Sequence, residues 1–340
     1  MHPVLLALLS AALFGASAPA GKFVIGSFTP LQLAGLLYLG ASFGSLPVVL
    51  KQHRGKFFGV PKSTRAKLFG ALLCGGCAAP SYMFALSQAP ASTVSMYLCL
   101  ESPFTALLAA LLFKEHIGVR GIVGVIGTTS AAILLSWGTG QAGLLAAGAA
   151  AIACLLWSLD NNLTSIMDGI APTEFTFWKG LVAGGVNFGI GCLLQPITAP
   201  VSALCFAIAV GAFCYGVSIT CYIAAAQKLG ATRSQLIFAS APFWGIGIAA
   251  VALGERLTTI QVVAAGILIA SILTLLRDTH EHHHEHEAMS HMHEHTHDDG
   301  HHNHTHEGLP ASHRHSHWHE HEPMSHSHPH LPDLHHRHEH

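Results

Sequence analysis

The chain has 340 residues, of which 51% are hydrophobic and only 10% are Asp, Glu, Lys or Arg, against about 25% charged residues in an ordinary soluble domain. The formal net charge of −2 is a cancellation: the first 278 residues carry a net +7 and the remainder a net −9. These figures exclude a soluble globular enzyme, whose helices would each show a polar face.

Apolar runs long enough to cross a bilayer as helix recur along residues 1–277, at about 3–23, 30–50, 68–88, 90–113, 119–137, 140–162, 173–194, 201–224, 231–252 and 258–276. The first is preceded only by His2 and runs through Gly21 without a convincing cleavage site, so it reads as a membrane helix and not as a signal peptide. After the second span, Lys51–Lys67 holds six Lys and Arg residues and no acid. Lys114 and Arg120, Lys228 and Arg233, and Arg277 flank later connections. With ten spans all of these fall on one side together with both termini, and Lys22 and Arg256 fall on the other. Basic loops face the cytoplasm, so both termini are expected there, in a bacterial inner (plasma) membrane.

In the third span, Cys74-Gly75-Gly76-Cys77 has redox or metal spacing. Close helix approach is the better explanation for Gly and Cys in an apolar run. In the fourth span, Glu101 stands in mid-membrane before Pro103, and an ionisable group at that depth is costly unless paired or wet. Two readings stay open for it. It is either a cavity carboxylate that binds a cation or a coupling proton, or a structural one satisfied by Ser95, Ser102 or Thr105. Tyr97 lies one turn earlier. Gly121, Gly124 and Gly127 make a smooth packing face in the fifth span. Asp160, near the end of the sixth span, and Lys179, early in the seventh, fall at similar depths and form a candidate pair, as a gate or as a static contact, with Asp160 simply at the interface as the other reading. Asn187 must find a partner across helices. Trp157, Trp178, Trp244, Tyr82, Tyr215 and Tyr222 serve equally well as cavity lining or as core and interface packing. Glu115 and Glu255 close corresponding spans, where they could pair with Arg120 or Arg256.

A weak internal period of about 140 residues sets Tyr82-Met83-Phe84-Ala85 against Tyr222-Ile223-Ala224-Ala225 and Pro103-Phe104 against Pro242-Phe243. Lys114-Glu115-His116 then falls near Gly254-Glu255-Arg256. Two halves of five spans have opposite orientations because five is odd, and inverted halves around a central site are a transporter architecture.

Phe14-Gly15-Ala16-Ser17 in the first span, Pro103 followed by apolar residues to Glu115, and Pro242 through Gly254-Glu255-Arg256-Leu257 together resemble the drug/metabolite transporter superfamily, specifically its proteins with two EamA domains. The resemblance covers about residues 1–277. It implies an all-α polytopic membrane protein of ten transmembrane helices, as two inverted five-helix repeats around a central cavity that carries a small metabolite or drug, often outward. The repeats are expected at 1–137 and 138–277. The four-helix multidrug relatives use a Glu in their first helix; the first span here has no acid, so that site does not carry over. No enzymatic activity, resident cofactor or nucleic-acid partner is expected.

Residues 278–340 are low in complexity and hold 25 of the 28 histidines, with Trp318 as the conspicuous large apolar residue. Such a segment is expected to be disordered, since it cannot bury enough surface to fold alone. His282, His283, His284 and His286; His291, His293, His295 and His297; His301, His302, His304 and His306; and His313, His315, His317 and His319 offer imidazoles one or two positions apart, suited to Zn, Ni, Co or Cu. Occupancy should fall below about pH 6, as the ligands must first lose their protons. Export of a small solute is the expected function, favoured as Ni, Co or Zn efflux or else as metal-regulated transport; the alternative is export of an organic metabolite or drug with the tail only a metal buffer or sensor. A metal buffer tethered by an inert bundle is the rival.

Overall fold

The structure, a computed structural model, describes residues 2–53, 62–113, 119–136, 140–165, 171–229, 234, 237–276, 280–286, 289–295, 315–321 and 324–330. From residue 280 on the description is of the backbone. The structure divides into two units, one essentially Met1–Asp278 and the other Thr279–Leu331.

The first unit is helical, and each apolar span read from the sequence overlaps a helical segment, the ninth through Ala241–Ala252, since 231–233 and 235–236 lie outside the described residues. These are α1 (Pro3–Ser27), α2 (Pro30–His53), α3 (Lys62–Gln88), α4 (Ala91–Tyr97, Leu98–Leu100 and Glu101–Phe113), α5 (Val119–Ser136), α6 (Gly140–Ser165), α7 (Pro172–Leu194), α8 (Val201–Val210, Gly211–Val217 and Ser218–Leu229), α9 (Ala241–Ala252) and α10 (Thr259–Leu276). Among the described residues six of these are long and apolar enough to cross a membrane by themselves, and α5, α9 and α10 are shorter apolar helices. Their outer faces are greasy. Leu111 is 76% exposed, and Leu193 and Val251 are each 89% exposed, a periphery that water would not tolerate but lipid solvates. The chain is an integral, all-α polytopic membrane protein.

The packing repeats between the two halves. α2 lies against α7, α5 against α10 and α4 against α9; α3 packs on α6 as α8 packs on α1, and α4 on α6 as α9 on α1. Exchanging each helix with the one five places away maps these contacts onto one another.

Backbone-to-backbone approach is set by small residues. A Cβ on Gly180 would strike Tyr38 O and Ser42 N, and one on Gly184 would lie 2.7 Å from Leu39 N, so α7 rides directly on α2. On the lipid-facing side of α7, Gly185 and Gly189 have open space at the same position. Gly180→Ala and Gly184→Ala are therefore expected to cost about 1–3 kcal/mol, the ordinary price of a methyl forced into a packed contact. Gly185→Ala and Gly189→Ala should leave stability equal or slightly higher. Thermal unfolding in detergent compares them, and equal losses at all four sites would refute this packing. Gly127 meets Ser271 across the α5–α10 contact, the packing role expected for that glycine face.

Three helices lose regularity near mid-span. α1 breaks at Ala16 between Pro3–Gly15 and Ser17–Val24, α4 tightens to a 3-10 turn at Leu98–Leu100, and α8 widens to a π-helical stretch at Gly211–Val217. Pro103 has no N–H to offer the carbonyl four residues back, which accounts for the α4 irregularity. Such departures cluster at functional sites.

The second unit differs from a featureless tail in its backbone. His280–His286 pairs antiparallel with Met324–His330, and Met289–His295 with His315–His321. The composition argument still applies, since two-stranded ladders without an apolar core are marginal in water.

Candidate functional site

α6 supplies the centre of the site. Trp157, Asp160 and Asn161 stand at i, i+3 and i+4 and so share one helix face. Asn161 Nδ2 donates to Glu101 Oε1 at 2.7 Å, and Glu101 is 7% exposed. Of the hydroxyls expected to satisfy this carboxylate, that of Thr105 does other work. Thr105 Oγ1 and Ser158 Oγ donate to the Glu101 backbone carbonyl at 2.8 and 2.9 Å. The buried Ser95 hydroxyl has no hydrogen-bond partner among the described residues. The asparagine one residue beyond Asp160 is the partner that span-by-span reading misses.

Asp160 and Lys179 meet in a buried salt bridge between Lys179 Nζ and Asp160 Oδ2, as their similar depths allow. Thr164 Oγ1 donates to the other carboxylate oxygen at 3.4 Å. The ammonium also lies 5.6 Å from the centre of the Phe175 ring, within cation–π range. Gly75 makes room for this pair: a Cβ there would strike Lys179 Cε and crowd Asp160 Oδ2. Asn187 Nδ2 donates to Gly76 O at 2.7 Å, so it finds its partner across helices. The Cys-Gly-Gly-Cys segment is thus a seat for polar groups of α6 and α7. Its cysteines are free, Cys74 half-buried and Cys77 exposed.

Tyr38 on α2 joins these parts. Its hydroxyl donates to Gly75 O at 3.1 Å, and Trp157 Nε1 donates to the Tyr38 oxygen at 3.5 Å. From there an aromatic cluster extends across the middle of the bundle. Tyr38 and Tyr215 are 5.5 Å apart between ring centres, Tyr82 and Trp157 5.4 Å, and Phe14 lies 5.6 Å from Trp157 and 5.7 Å from Tyr215. Phe238 touches both Phe14 and Tyr222. Edge-on packing of this kind is favourable for rings. The hydroxyls do not share in it. Those of Ser17, Tyr82, Tyr97 and Tyr215 are fully buried and make no hydrogen bond among the described residues, although Ser17, Tyr82 and Tyr215 lie close to one another. Buried polar groups left without a protein partner mark a place for water or a polar solute.

Tyr82, Tyr97, Trp157 and Tyr215 are therefore interior, whereas Trp244 is 46% exposed and faces outward. Tyr38 and Phe238 belong to the site without any prior signal beyond being aromatic. Phe14 and Ser17 could have been found through their place in Phe14-Gly15-Ala16-Ser17.

A second polar cluster sits where α3 ends and α4 begins. Lys22 Nζ donates to the carbonyls of Leu86 and Ala89 at 2.7 and 2.8 Å. Glu255 accepts from the backbone amides of Ala91 and Ser92, both at 2.9 Å, and from Ser92 Oγ at 2.6 Å. Glu255 thus pairs with a helix start and not with the expected Arg120 or Arg256. Each charge complements the helix end it meets. Gln261 Nε2 adds a bond to Thr93 Oγ1 at 2.9 Å.

Among the residues whose side chains are described, no three His, Cys, Asp or Glu gather as they would around a metal ion. His297, His301, His302, His304, His306, His313 and Glu115 lie outside the described residues; His282, His283, His284, His286, His291, His293, His295, His315, His317 and His319 lie on the strands of the second unit.

Comparison with known proteins agrees with this architecture. An uncharacterized transporter of Clostridium kluyveri is 23% identical over 291 residues, 78% of this chain and 90% of its own length. One of Methanothermobacter thermautotrophicus is 22% identical over 282 residues, 77% of this chain and 82% of its own. A solved crystal structure with 17% sequence identity superposes with a TM-score of 0.61, over 81% of this chain and 97% of that one, and shares the fold. The EamA-like transporter family matches residues 1–137 and again 144–277. Matched over most of its length, by both halves in turn, the chain belongs to the EamA-like transporter family.

Proposed function

We propose that the chain is a secondary transporter that exports a small organic solute by alternating access, and that its cytoplasmic tail binds transition metal and regulates that transport. One observation carries the cargo reading. Where α1, α3 and α8 bring them together, the hydroxyls of Ser17, Tyr82 and Tyr215 are buried beside aromatic rings without hydrogen-bond partners among the described residues. An organic molecule with a flat apolar body and a polar end satisfies both features. Glu101 adds a carboxylate held by one oxygen, and Tyr97, Asp160, Lys179 and Asn187 complete the polar inventory around it. The excess of Lys and Arg in the Lys51–Lys67 loop supports cytoplasmic termini in a bacterial plasma membrane.

Export of Ni²⁺, Co²⁺ or Zn²⁺ is the second reading, favoured by the histidines of the tail. Uptake into everted vesicles separates the two, using a panel of labelled amino acids, amines and nucleosides beside the three metal ions, with and without residues 280–340. The expected result is flux of an organic solute that persists without the tail and changes on adding metal only when the tail is present. Flux of metal ions alone would overturn the organic reading in favour of the second. No flux of any probe, with full metal binding by the tail, would overturn both in favour of an anchored metal buffer.

A further inference from the structure

The tail contains a duplication of its own. The pattern H-x-H-x-H-E-H-E-x-M-S-H-x-H-x-H occurs at 280–295 and again at 315–330. Each copy forms two strands that part near its E-x-M step: His280–His286 and Met289–His295 in the first, His315–His321 and Met324–His330 in the second. Pairing runs between copies. The first strand of copy one pairs with the second of copy two, and the second of copy one with the first of copy two.

The register makes the two ladders equivalent. His284 stands opposite His326 in one, and the corresponding residues of the exchanged copies, His319 and His291, stand opposite each other in the other. Alternate residues of a strand share a face. On one face each ladder therefore sets seven histidines and a single methionine, Met324 in the first and Met289 in the second. The opposite face carries mainly Glu and Ser.

Residues directly opposite in an antiparallel pair have Cα atoms about 4.5–5.5 Å apart, and the next pair on the same face is about 7 Å further along. Two successive pairs thus place four residue positions on one face within the reach that a shared ion, bound at metal–nitrogen distances of about 2.0–2.1 Å, requires of histidine ligands. The ladders have no apolar core to hold them in water, so an ion bridging the strands supplies the attraction that side-chain packing does not.

We infer that the tail is a pair of equivalent metal clasps, each built from one strand of either copy and closed by a borderline divalent cation of the Zn, Ni, Co and Cu group. This inference rests on the metal-binding reading of the tail and adds that neither copy forms a tight site without the other. Closing the clasps draws 280–295 and 315–330 together.

The test uses the full chain in detergent with Zn²⁺ and, separately, Ni²⁺, measuring tightly bound ions by equilibrium dialysis. Replacing all seven histidines of 315–330 by alanine is expected to remove essentially all tight binding, because both ladders lose a strand. Replacing only those of His315–His321 is expected to remove about half, because one ladder survives. Hydrogen exchange gives a second readout: Zn²⁺ should protect backbone amides of 280–295 in the unaltered chain and fail to do so in the seven-histidine variant. Half of the tight ions remaining in that variant, or continued protection of 280–295, would overturn the clasp and leave two independent chelators. Absence of tight binding by the unaltered chain would overturn the metal-binding reading itself.

Discussion

Replacing Lys179 by methionine is expected to destabilise the bundle by about 3–5 kcal/mol, the range for breaking a buried ion pair by removing one partner. Asp160 is 1% exposed, and Thr164, with a bond of 3.4 Å, is the remaining donor to its carboxylate among the described residues. Lys179→Met therefore strands a charge in a medium that cannot solvate it. Asp160→Asn does the reverse and strands the ammonium, with the Phe175 ring as a weak consolation. The double variant Lys179→Met/Asp160→Asn is expected to recover most of the loss, since replacing both ions by neutral groups of similar shape is often close to neutral. Thermal unfolding in detergent of the four proteins closes the cycle. Additive losses in the double variant would show that the two side chains are not coupled. Transport then separates gate from strut: a stable double variant that no longer carries solute makes the pair a moving part, and one that carries it normally makes the pair structural.

How much of this was visible in the sequence depends on the residue type. Glu101, Asp160 and Lys179 stand out because an ionised side chain in an apolar run is expensive wherever the helix points. Depth along the helix also brings Asp160 and Lys179 to the same level without knowledge of the packing. Direction around the helix is another matter. Membrane helices are apolar on their lipid face as well as on their inner face, so the periodicity that orients a soluble helix is missing. Nothing in 30–50 separates Tyr38, which is buried and bonded to Gly75, from Phe43, which faces outward and is 56% exposed. Trp157 and Trp244 are likewise alike in sequence and opposite in place. Small residues carry the information that hydrophobic ones do not. Gly180 and Gly184 mark the faces where backbones touch and Gly75 the place where an ion pair is seated, while Gly185 shows that the residue type alone is not enough. The partners of Glu101 and Glu255 escape for a related reason: both lie on helices distant in sequence, across contacts that only the assembled halves define.

Glu101→Gln is expected to leave the fold intact and to lower transport at least about tenfold, a loss that corresponds to about 1.4 kcal/mol or more of binding or coupling energy. The glutamine keeps an oxygen to accept from Asn161 Nδ2, the bond that holds Glu101 Oε1 at 2.7 Å, and it removes a charge whose burial is costly. A purely structural carboxylate would therefore be replaced at little cost in either stability or flux. A carboxylate that must attract a cationic group of the solute, or take up and release a proton in each cycle, has no substitute in an amide. Glu101→Asp retains the charge but draws it back by one methylene, and is expected to fall between the two. Asn161→Ala tests the same point from the other side, since it frees the carboxylate of its donor and keeps the charge. Its effect should appear first as lower thermal stability, from the lost bond to a buried charged group of about 1.5–3 kcal/mol, with transport reduced less than in Glu101→Gln. The decisive comparison is initial uptake into everted vesicles of the solute found by the panel, at equal protein in the membrane. Normal uptake by Glu101→Gln would assign the carboxylate to the scaffold and move the centre of the site to the hydroxyls of Ser17, Tyr82 and Tyr215.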